Sequence, residues 1–113
     1  MKLLIMGPPG AGKGTQAKIL AQKFNLVHLS TGDILRKEID RNSEVGLKAQ
    51  TYMNAGNLVP DEVLLEMMNS TLTELKDEGV ILDGFPRTIP QADGLSKIFQ
   101  SLNQDIDAII NIE

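Results

Sequence analysis

Apolar residues fall into four short, almost unbroken runs along this chain. The runs are Leu3–Met6, Leu26–Leu29, Val80–Leu82 and Ala108–Ile112. Apolar runs of this length are typical of parallel strands that are covered on both faces. We therefore predict four strands, with the first and third buried, and His28 as a packed or half-exposed residue of the second strand rather than a metal ligand.

The stretches between these runs repeat apolar residues every three or four positions, as amphipathic helices do. The pattern predicts helices over 16–24, 31–39, 45–53, 60–76 and 89–102. Ser30 and Thr88 are suitable N-cap residues, Pro60 suits a first helical position, and Gly79 is the predicted stop of the fourth helix. Strands that alternate with helices favour an α/β fold with a parallel sheet.

Composition limits the class of protein. The chain has 113 residues, enough for one domain, and 42% of them are hydrophobic. A net charge of −4 argues against a nucleic-acid surface, and the lack of cysteine excludes disulfides and cysteine zinc sites. No apolar run reaches membrane-spanning length, and the apolar N-terminus is too short for a signal peptide. We expect a cytoplasmic protein.

A glycine-rich segment, residues 7–15, joins the first strand to the first helix, and we call it the phosphate loop. Glycines let several backbone N–H groups point into one concavity, and the following helix adds the positive end of its dipole. A plain turn is the alternative, but it would need neither so many glycines nor a lysine. The residues predicted to cradle phosphates are Gly10, Ala11, Gly12, Lys13, Gly14 and Thr15.

Acidic and basic residues follow the predicted strands. Asp83 ends the third strand, where an acid is the expected partner of magnesium, directly or through water. The Thr15 hydroxyl is a second candidate metal ligand, although Gly14 separates it from Lys13. Arg87 and Arg36 are candidate phosphate clamps. The alternatives are a turn or capping role for Asp83 and solvated surface positions for both arginines.

Two phosphate-binding elements that face each other imply two phosphorylated ligands. Phosphoryl transfer between nucleotides needs mostly positioning and charge neutralisation from the protein. Residues 30–59 form a mostly helical insertion after the second strand. That segment is predicted to be a small flap over the phosphate loop.

In these motifs the chain resembles adenylate kinase. The segments that carry the resemblance are residues 7–15, 29–33, Arg36, 58–61, 82–87 and Gln91. The resemblance implies phosphoryl transfer between ATP and AMP, with magnesium, to give two ADP. It also implies a three-layer P-loop kinase core with a parallel sheet and a helical AMP-binding insertion. Residues 1–29 and 60–113 would form the core, and 30–59 the insertion, which closes on substrate in this family.

The resemblance also implies a role for each matching residue. Lys13, Asp83 and Arg87 would be catalytic, with Asp83 holding magnesium through water. The residues that would bind AMP are Thr31, Arg36, Val59, Gly84, Arg87 and Gln91. A kinase for another nucleoside monophosphate is the enzyme alternative, although Thr31 and Gln91 favour AMP. A switch GTPase is disfavoured, because Asn-Lys-x-Asp and Asp-x-x-Gly motifs are missing.

The resemblance implies that the family's lid and last strand are missing, so we expect weak or no turnover from this chain alone. A nucleotide-binding core without catalysis is therefore the other alternative. We also expect the strand at 108–112 to be an apolar sheet edge, a site for self-association or for pairing with a C-terminal fragment. Other expected partners are ATP, AMP and ADP, and we expect neither nucleic acid nor a membrane.

Overall fold

The computed structural model describes residues 1–8 and 12–112. In these residues strands and helices alternate in nearly the predicted order. The elements are β1 (Lys2–Met6), α1 (Lys13–Phe24), β2 (Val27–Ser30), α2 (Thr31–Asp40), α3 (Glu44–Asn54), α4 (Asp61–Glu74), β3 (Val80–Asp83), α5 (Ile89–Ser101) and β4 (Ala108–Asn111). The predicted α/β class is confirmed.

The four strands form one parallel sheet in the order β2-β3-β1-β4. The chain crosses from β1 over β3 to reach β2, and later from β3 over β1 to reach β4. Connections therefore leave β1 and β3 in opposite directions. A crevice forms at such a switch point, outside the carboxyl ends of the two central strands.

The two faces of the sheet are covered by separate apolar clusters. Leu3, Ile5 and Ile81 pack with Ala17 of α1 on one face. Leu4 and Leu82 point to the other face and pack with residues of α2, α3, α4 and α5. Because neighbouring residues of a strand point to opposite faces, both clusters together require the continuous apolar runs that the sequence shows. The three-layer arrangement is thus explained by the strand sequences.

Several helix boundaries agree with the sequence. The hydroxyl of Ser30 accepts a hydrogen bond from the Asp33 N–H at 3.2 Å, and Thr88 does the same for the Gln91 N–H at 3.2 Å. Asn25 ends α1 in the left-handed conformation with φ of 54°. The predicted N-caps Ser30 and Thr88 are therefore confirmed.

The two predicted boundaries of α4 were wrong. Pro60 is the N-cap rather than the first helical residue, and Asp61 begins the helix. The helix ends at Glu74, well before Gly79, so Lys76 lies outside its last turn. The reason is a buried lysine that donates hydrogen bonds to carbonyl groups just beyond the helix end.

That lysine is Lys2 of β1, which is 6% exposed. Its Nζ donates to the carbonyl oxygens of Leu75 at 3.3 Å, Lys76 at 3.2 Å and Glu78 at 2.5 Å. Carbonyls at a helix end lack partners within the helix, and a cation there also complements the helix dipole. Burial lowers the pKa of Lys2, and the nearby charges of Asp77, Glu78 and Asp107 oppose that shift. Lys2 thereby fixes the turn between α4 and β3.

Helices α2 and α3 meet at a very close backbone contact. Gly46, in the first turn of α3, lies directly against the backbone of Glu38, so that a Cβ atom at position 46 would overlap the Glu38 carbonyl. Ser43, the N-cap of α3, also donates through its hydroxyl to the Glu38 carboxylate at 2.5 Å. Ile34, Val45 and Ala49 from these helices belong to the same cluster as α4 and α5. The division into a core and a 30–59 insertion stays a prediction.

Gly46→Ala is expected to lower the free energy of unfolding by about 2 kcal/mol, measured by urea denaturation. Alanine is the better helix former by about 1 kcal/mol, but overlap with a backbone carbonyl cannot be relieved by a rotamer change and outweighs that gain. Lys48→Ala is the matched control, since its ion pair with Glu66 is half exposed. Stabilisation by Gly46→Ala would contradict the close contact.

Candidate active site

The candidate site lies at the carboxyl ends of β1 and β3. These strands are adjacent, and their register pairs Ile5 with Asp83. The segment that follows β1 leads into α1, and the segment that follows β3 contains Gly84 and Arg87. Strand pairing alone therefore brings the phosphate loop next to the acid predicted from the sequence.

The described part of the phosphate loop has the features that anion binding requires. Gly12 is the N-cap of α1 and has φ of 81°, a left-handed conformation that suits glycine. Because Gly12 has no side chain, the first N–H groups of α1 are left without a side-chain acceptor. An uncapped helix N-terminus favours an anionic ligand. The predicted cradle residues Gly10 and Ala11 lie outside the described residues.

Asp83 is the electrostatic centre of the site. One carboxylate oxygen accepts from the Lys13 ammonium and the other is 3.0 Å from Nε2 of His28. Burial raises the pKa of Asp83, but the hydrogen bonds and charges of Lys13 and His28 outweigh burial, so the pKa lies below its ordinary value. Asp83 is therefore a carboxylate at neutral pH, which only accepts hydrogen bonds. It follows that Nε2 of His28 carries the proton and donates.

His28 is a site residue that the sequence analysis missed. Within the strand pattern it occupies a packed position of β2, as predicted, but its ring reaches the end of the neighbouring strand β3. Strand order would have revealed this contact. Since β2 lies next to β3, His28 pairs with Ile81, which is two residues before Asp83. Without the knowledge that β2 is next to β3, the sequence does not connect the two side chains.

Two cavities meet around this centre. The larger, of about 660 Å³, extends toward α2 and the beginnings of α4 and α5. The other, of about 520 Å³, extends toward the end of β1 and is lined there by Met6 and Gly7. The described residues that line both cavities are Lys13, Gly84 and Arg87. Two bound molecules would thus come together at one lysine and one arginine.

Gly84 allows Arg87 to lie at this junction. Its φ is 80°, which strongly favours glycine, and a Cβ atom at this position would lie 2.9 Å from Nη2 of Arg87. A side chain at position 84 would therefore stand in the space of the guanidinium. Gly84, which was predicted as an AMP-binding residue, therefore also leaves the space that the Arg87 side chain occupies.

The larger cavity contains several of the residues predicted to bind AMP. Thr31 begins α2 and lines the cavity together with its neighbours Ser30 and Gly32. Gln91, in the first turn of α5, also lines it, together with Asp61 of α4. The structure therefore brings Thr31, Gln91 and Arg87 to one cavity, although they come from different segments.

Three predicted site residues lie elsewhere. Arg36 is 71% exposed and pairs with Asp33, and it is not among the described residues that line either cavity. Hydrogen bonds from Ser30 and Arg36 lower the pKa of Asp33. Val59 packs against the apolar cluster that contains residues of α2 to α5, and Thr15 is exposed on α1. Asp33 lies three residues before Arg36, a spacing at which side chains of one helix are neighbours.

The described residues fit magnesium only as a shared site. They contain no group of three or more histidine or acidic side chains that could hold a metal ion by themselves. Asp83 offers one carboxylate, which is already paired with Lys13. Magnesium usually keeps several waters and binds through one or two carboxylates together with substrate phosphates. Asp83, acting through water, would meet this requirement if a nucleotide supplied the phosphates.

A parallel sheet with a glycine loop after its first strand places the protein in the class of P-loop proteins with a kinase-type α/β core. Comparison with known sequences is more specific. A family model described as adenylate kinase matches residues 5–113. The chain therefore belongs to the adenylate kinase family.

Several relatives with similar sequences are named adenylate kinase. That of Methanothrix thermoacetophila is 50% identical over 114 residues, covering 100% of this chain and 53% of the relative. That of Desulforamulus reducens is 52% identical, covering 100% and 54%, and that of Caldicellulosiruptor bescii is 50% identical, covering 100% and 53%. The chain spans about half the length of the curated relatives it matches. Every helix in the described ranges is too short or too polar to cross a membrane.

Asp83→Asn is expected to change how stability depends on pH. The pKa of Asp83 in the folded protein lies below the unfolded value of about 3.9, so its charge stabilises the fold above that pH. This contribution is lost as the pH falls through the lower, folded pKa. The free energy by which the wild type exceeds Asp83→Asn, about 1 to 3 kcal/mol at pH 7, should therefore shrink below pH 4.

Urea unfolding between pH 7 and pH 3 measures this difference. Asp93→Asn, at an exposed aspartate of α5, is the matched control and should keep a constant difference from the wild type. A difference for Asp83→Asn that does not change with pH would contradict the role of Lys13 and His28 in holding the carboxylate charged.

Proposed function

We propose that the protein takes part in the phosphoryl transfer of adenylate kinases, from ATP to AMP, which gives two ADP. The observation that carries the proposal is the meeting of two cavities at Lys13, Gly84 and Arg87. A reaction between two nucleotides requires two adjoining binding sites with cationic groups between them. Names of the relatives agree with this activity.

The ATP phosphates would occupy the smaller cavity, next to the phosphate loop. Lys13 extends from the first residue of α1 into this cavity, so its ammonium would neutralise the outer phosphates. Backbone N–H groups at the start of α1 would bind the same phosphates. The residues proposed for this role are Gly10, Ala11, Gly12, Lys13, Gly14 and Thr15.

AMP would occupy the larger cavity. Its phosphate would bind Arg87 at the junction, and its base would lie toward Gln91 and Thr31. Val59 is proposed as a further AMP-binding residue. Arg36 is proposed as a second phosphate clamp. It would have to exchange its exposed ion pair with Asp33 for the AMP phosphate, a change that costs little because exposed pairs are weak. This exchange accords with the proposed role of residues 30–59 as a separate AMP-binding unit that closes on substrate.

In the transfer step an oxygen of the AMP phosphate bonds to the γ-phosphorus of ATP. The bond from that phosphorus to the bridging oxygen of ADP breaks. Lys13 and Arg87 would neutralise the charge that spreads over the transferring group. Magnesium, when bound, would supply further charge neutralisation, with Asp83 holding it through water and Thr15 as a second candidate ligand. We further propose a cytoplasmic location, where both nucleotides are available.

Lys13→Ala is expected to weaken ATP binding by about tenfold, measured by calorimetry with magnesium and ATP. The reason is the loss of a charge-assisted contact to phosphate. Lys18→Ala is the matched control, because Lys18 is an exposed lysine of the same helix. Equal affinities for ATP in Lys13→Ala and the wild type would overturn the proposed phosphate site.

A second candidate function is nucleotide binding without turnover. The observation in its favour is that Arg36 is engaged with Asp33, outside both cavities, so that Arg87 and Lys13 are the cationic side chains among their described lining. ADP formation from ATP and AMP separates the two functions. Formation that Lys13→Ala abolishes supports transfer, whereas binding without ADP supports the second candidate. Better phosphorylation of UMP or CMP than of AMP would favour a kinase for another nucleoside monophosphate.

We also propose that the chain pairs with another chain, a second copy or a C-terminal fragment, through β4. This strand is an edge of the four-stranded sheet, and Ile109 is 58% exposed. Edge strands offer unpaired backbone groups to other strands. Sedimentation velocity should show association that increases with concentration, and Ile109→Lys should reduce it. Ile19→Lys, at an exposed apolar position of α1, is the control. A wild type that stays monomeric at all concentrations would contradict self-association.

A further inference from the structure

Gln91 is a buried amide whose orientation is set by two neighbours. Its side chain lines the larger cavity and is 6% exposed. Its Oε1 accepts from the backbone N–H of Arg87 at 2.8 Å, and its Nε2 donates to Oδ1 of Asp61 at 2.7 Å. Both ends of the amide are therefore engaged before any ligand binds.

The chemistry of these neighbours permits only one orientation. A backbone N–H only donates, and an ionised carboxylate only accepts. Rotation of the amide by 180° would place Nε2 against the N–H of Arg87 and Oε1 against the carboxylate of Asp61. Both hydrogen bonds would be lost and like groups would face each other. The positions of oxygen and nitrogen in Gln91 are thus decided by the protein.

Asp61 is itself held in place. It is the first residue of α4, and its Oδ2 accepts from the hydroxyl of Thr88, the N-cap of α5, at 3.3 Å. The same hydroxyl accepts from the N–H of Gln91 at 3.2 Å. Asp61, Thr88 and Gln91 therefore form a closed set of hydrogen bonds that joins the beginnings of α4 and α5. A carboxylate in this set cannot turn away from Gln91 without losing both contacts.

We propose that Asp61 is a positioning residue that makes the larger cavity select 6-aminopurine over 6-oxopurine monophosphates. This inference rests on the proposed binding of AMP there. After its two internal bonds, the Gln91 amide keeps one lone pair on Oε1 and one N–H on Nε2. The edge of adenine offers a donor at N6 beside an acceptor at N1, and hypoxanthine offers the reverse order. An amide that could rotate would accept both bases, whereas a fixed amide accepts one.

The anchored phosphate makes the fixed order effective. Arg87 and Gln91 line the same cavity, so a nucleotide whose phosphate is bound at Arg87 would present its base to Gln91 from a tethered position. The proposal includes that this tether stops a base of the wrong type from turning over to match the amide. Selectivity would come from the pair Asp61 and Gln91 together, although Asp61 need not touch the nucleotide.

Calorimetric titration of AMP and IMP into wild type, Asp61→Ala and Asp61→Asn tests the proposal. The ratio of the two affinities should favour AMP in the wild type and fall about tenfold in Asp61→Ala, as for one lost hydrogen bond to a charged group. Asp61→Asn keeps an acceptor of the same shape and should retain most of the ratio. Glu62→Ala, which removes an adjacent exposed acid, should leave the ratio unchanged.

A second measurement needs no nucleotide. The side-chain amide cross-peaks of Gln91 in a proton–nitrogen NMR spectrum, identified by their loss in Gln91→Leu, should show slow exchange with solvent in the wild type. Exchange should become fast in Asp61→Ala and stay slow in Glu62→Ala. Fast exchange in the wild type would overturn the inference, even if Asp61→Ala did not fold.

The two proposals fail in different ways. Wild type that binds neither nucleotide would overturn the proposed function and this inference together. Wild type that prefers AMP, with the same preference in a folded Asp61→Ala, would overturn the role of Asp61 and leave the proposed function standing.

Discussion

The parallel pairing of β1 with β3 is the constraint on which the site depends. These strands are far apart in sequence, yet their register places Ile5 beside Asp83. The phosphate loop and the acid therefore reach the same point without any contribution from the loops themselves. Lys13 and His28 then converge on Asp83 from α1 and β2. Lys13 and His28 donate hydrogen bonds to this buried carboxylate and so stabilise its negative charge. A buried acid without such partners would be costly to keep ionised.

The sequence predicted the fold well because its strongest signals were local. Unbroken apolar runs gave β1 and β3, and the side-chain caps at Ser30 and Thr88 gave the beginnings of α2 and α5. The end of α4 was missed for the opposite reason. It depends on Lys2, more than seventy residues earlier in the chain, whose ammonium takes up carbonyls after Glu74. The helix propensities of the residues around Glu74 do not indicate that contact.

The residues of the candidate site were likewise predicted only in part. Lys13, Asp83, Arg87, Thr31 and Gln91 were identified from motifs and lie around the two cavities. His28 and Asp61 were not identified, because each acts through a neighbour from another element. Arg36 was identified, but it pairs with Asp33 and is not among the described residues that line the cavities. Motifs thus indicate residues that line the cavities, whereas the residues that hydrogen-bond to them can be identified only from the tertiary structure.

The strand order β2-β3-β1-β4 has a consequence for how the chain is made. Of the four strands, β1 is synthesised first, and it is a central strand whose neighbours are β3 and β4. It has no strand to pair with until residues 80–83 have been synthesised, and β2 waits for the same strand. Pairings between such distant segments are slow to form because a long loop must close first. The edges of β1 and β2 therefore stay unpaired until β3 has been synthesised, and β3 is the strand whose arrival lets the sheet assemble.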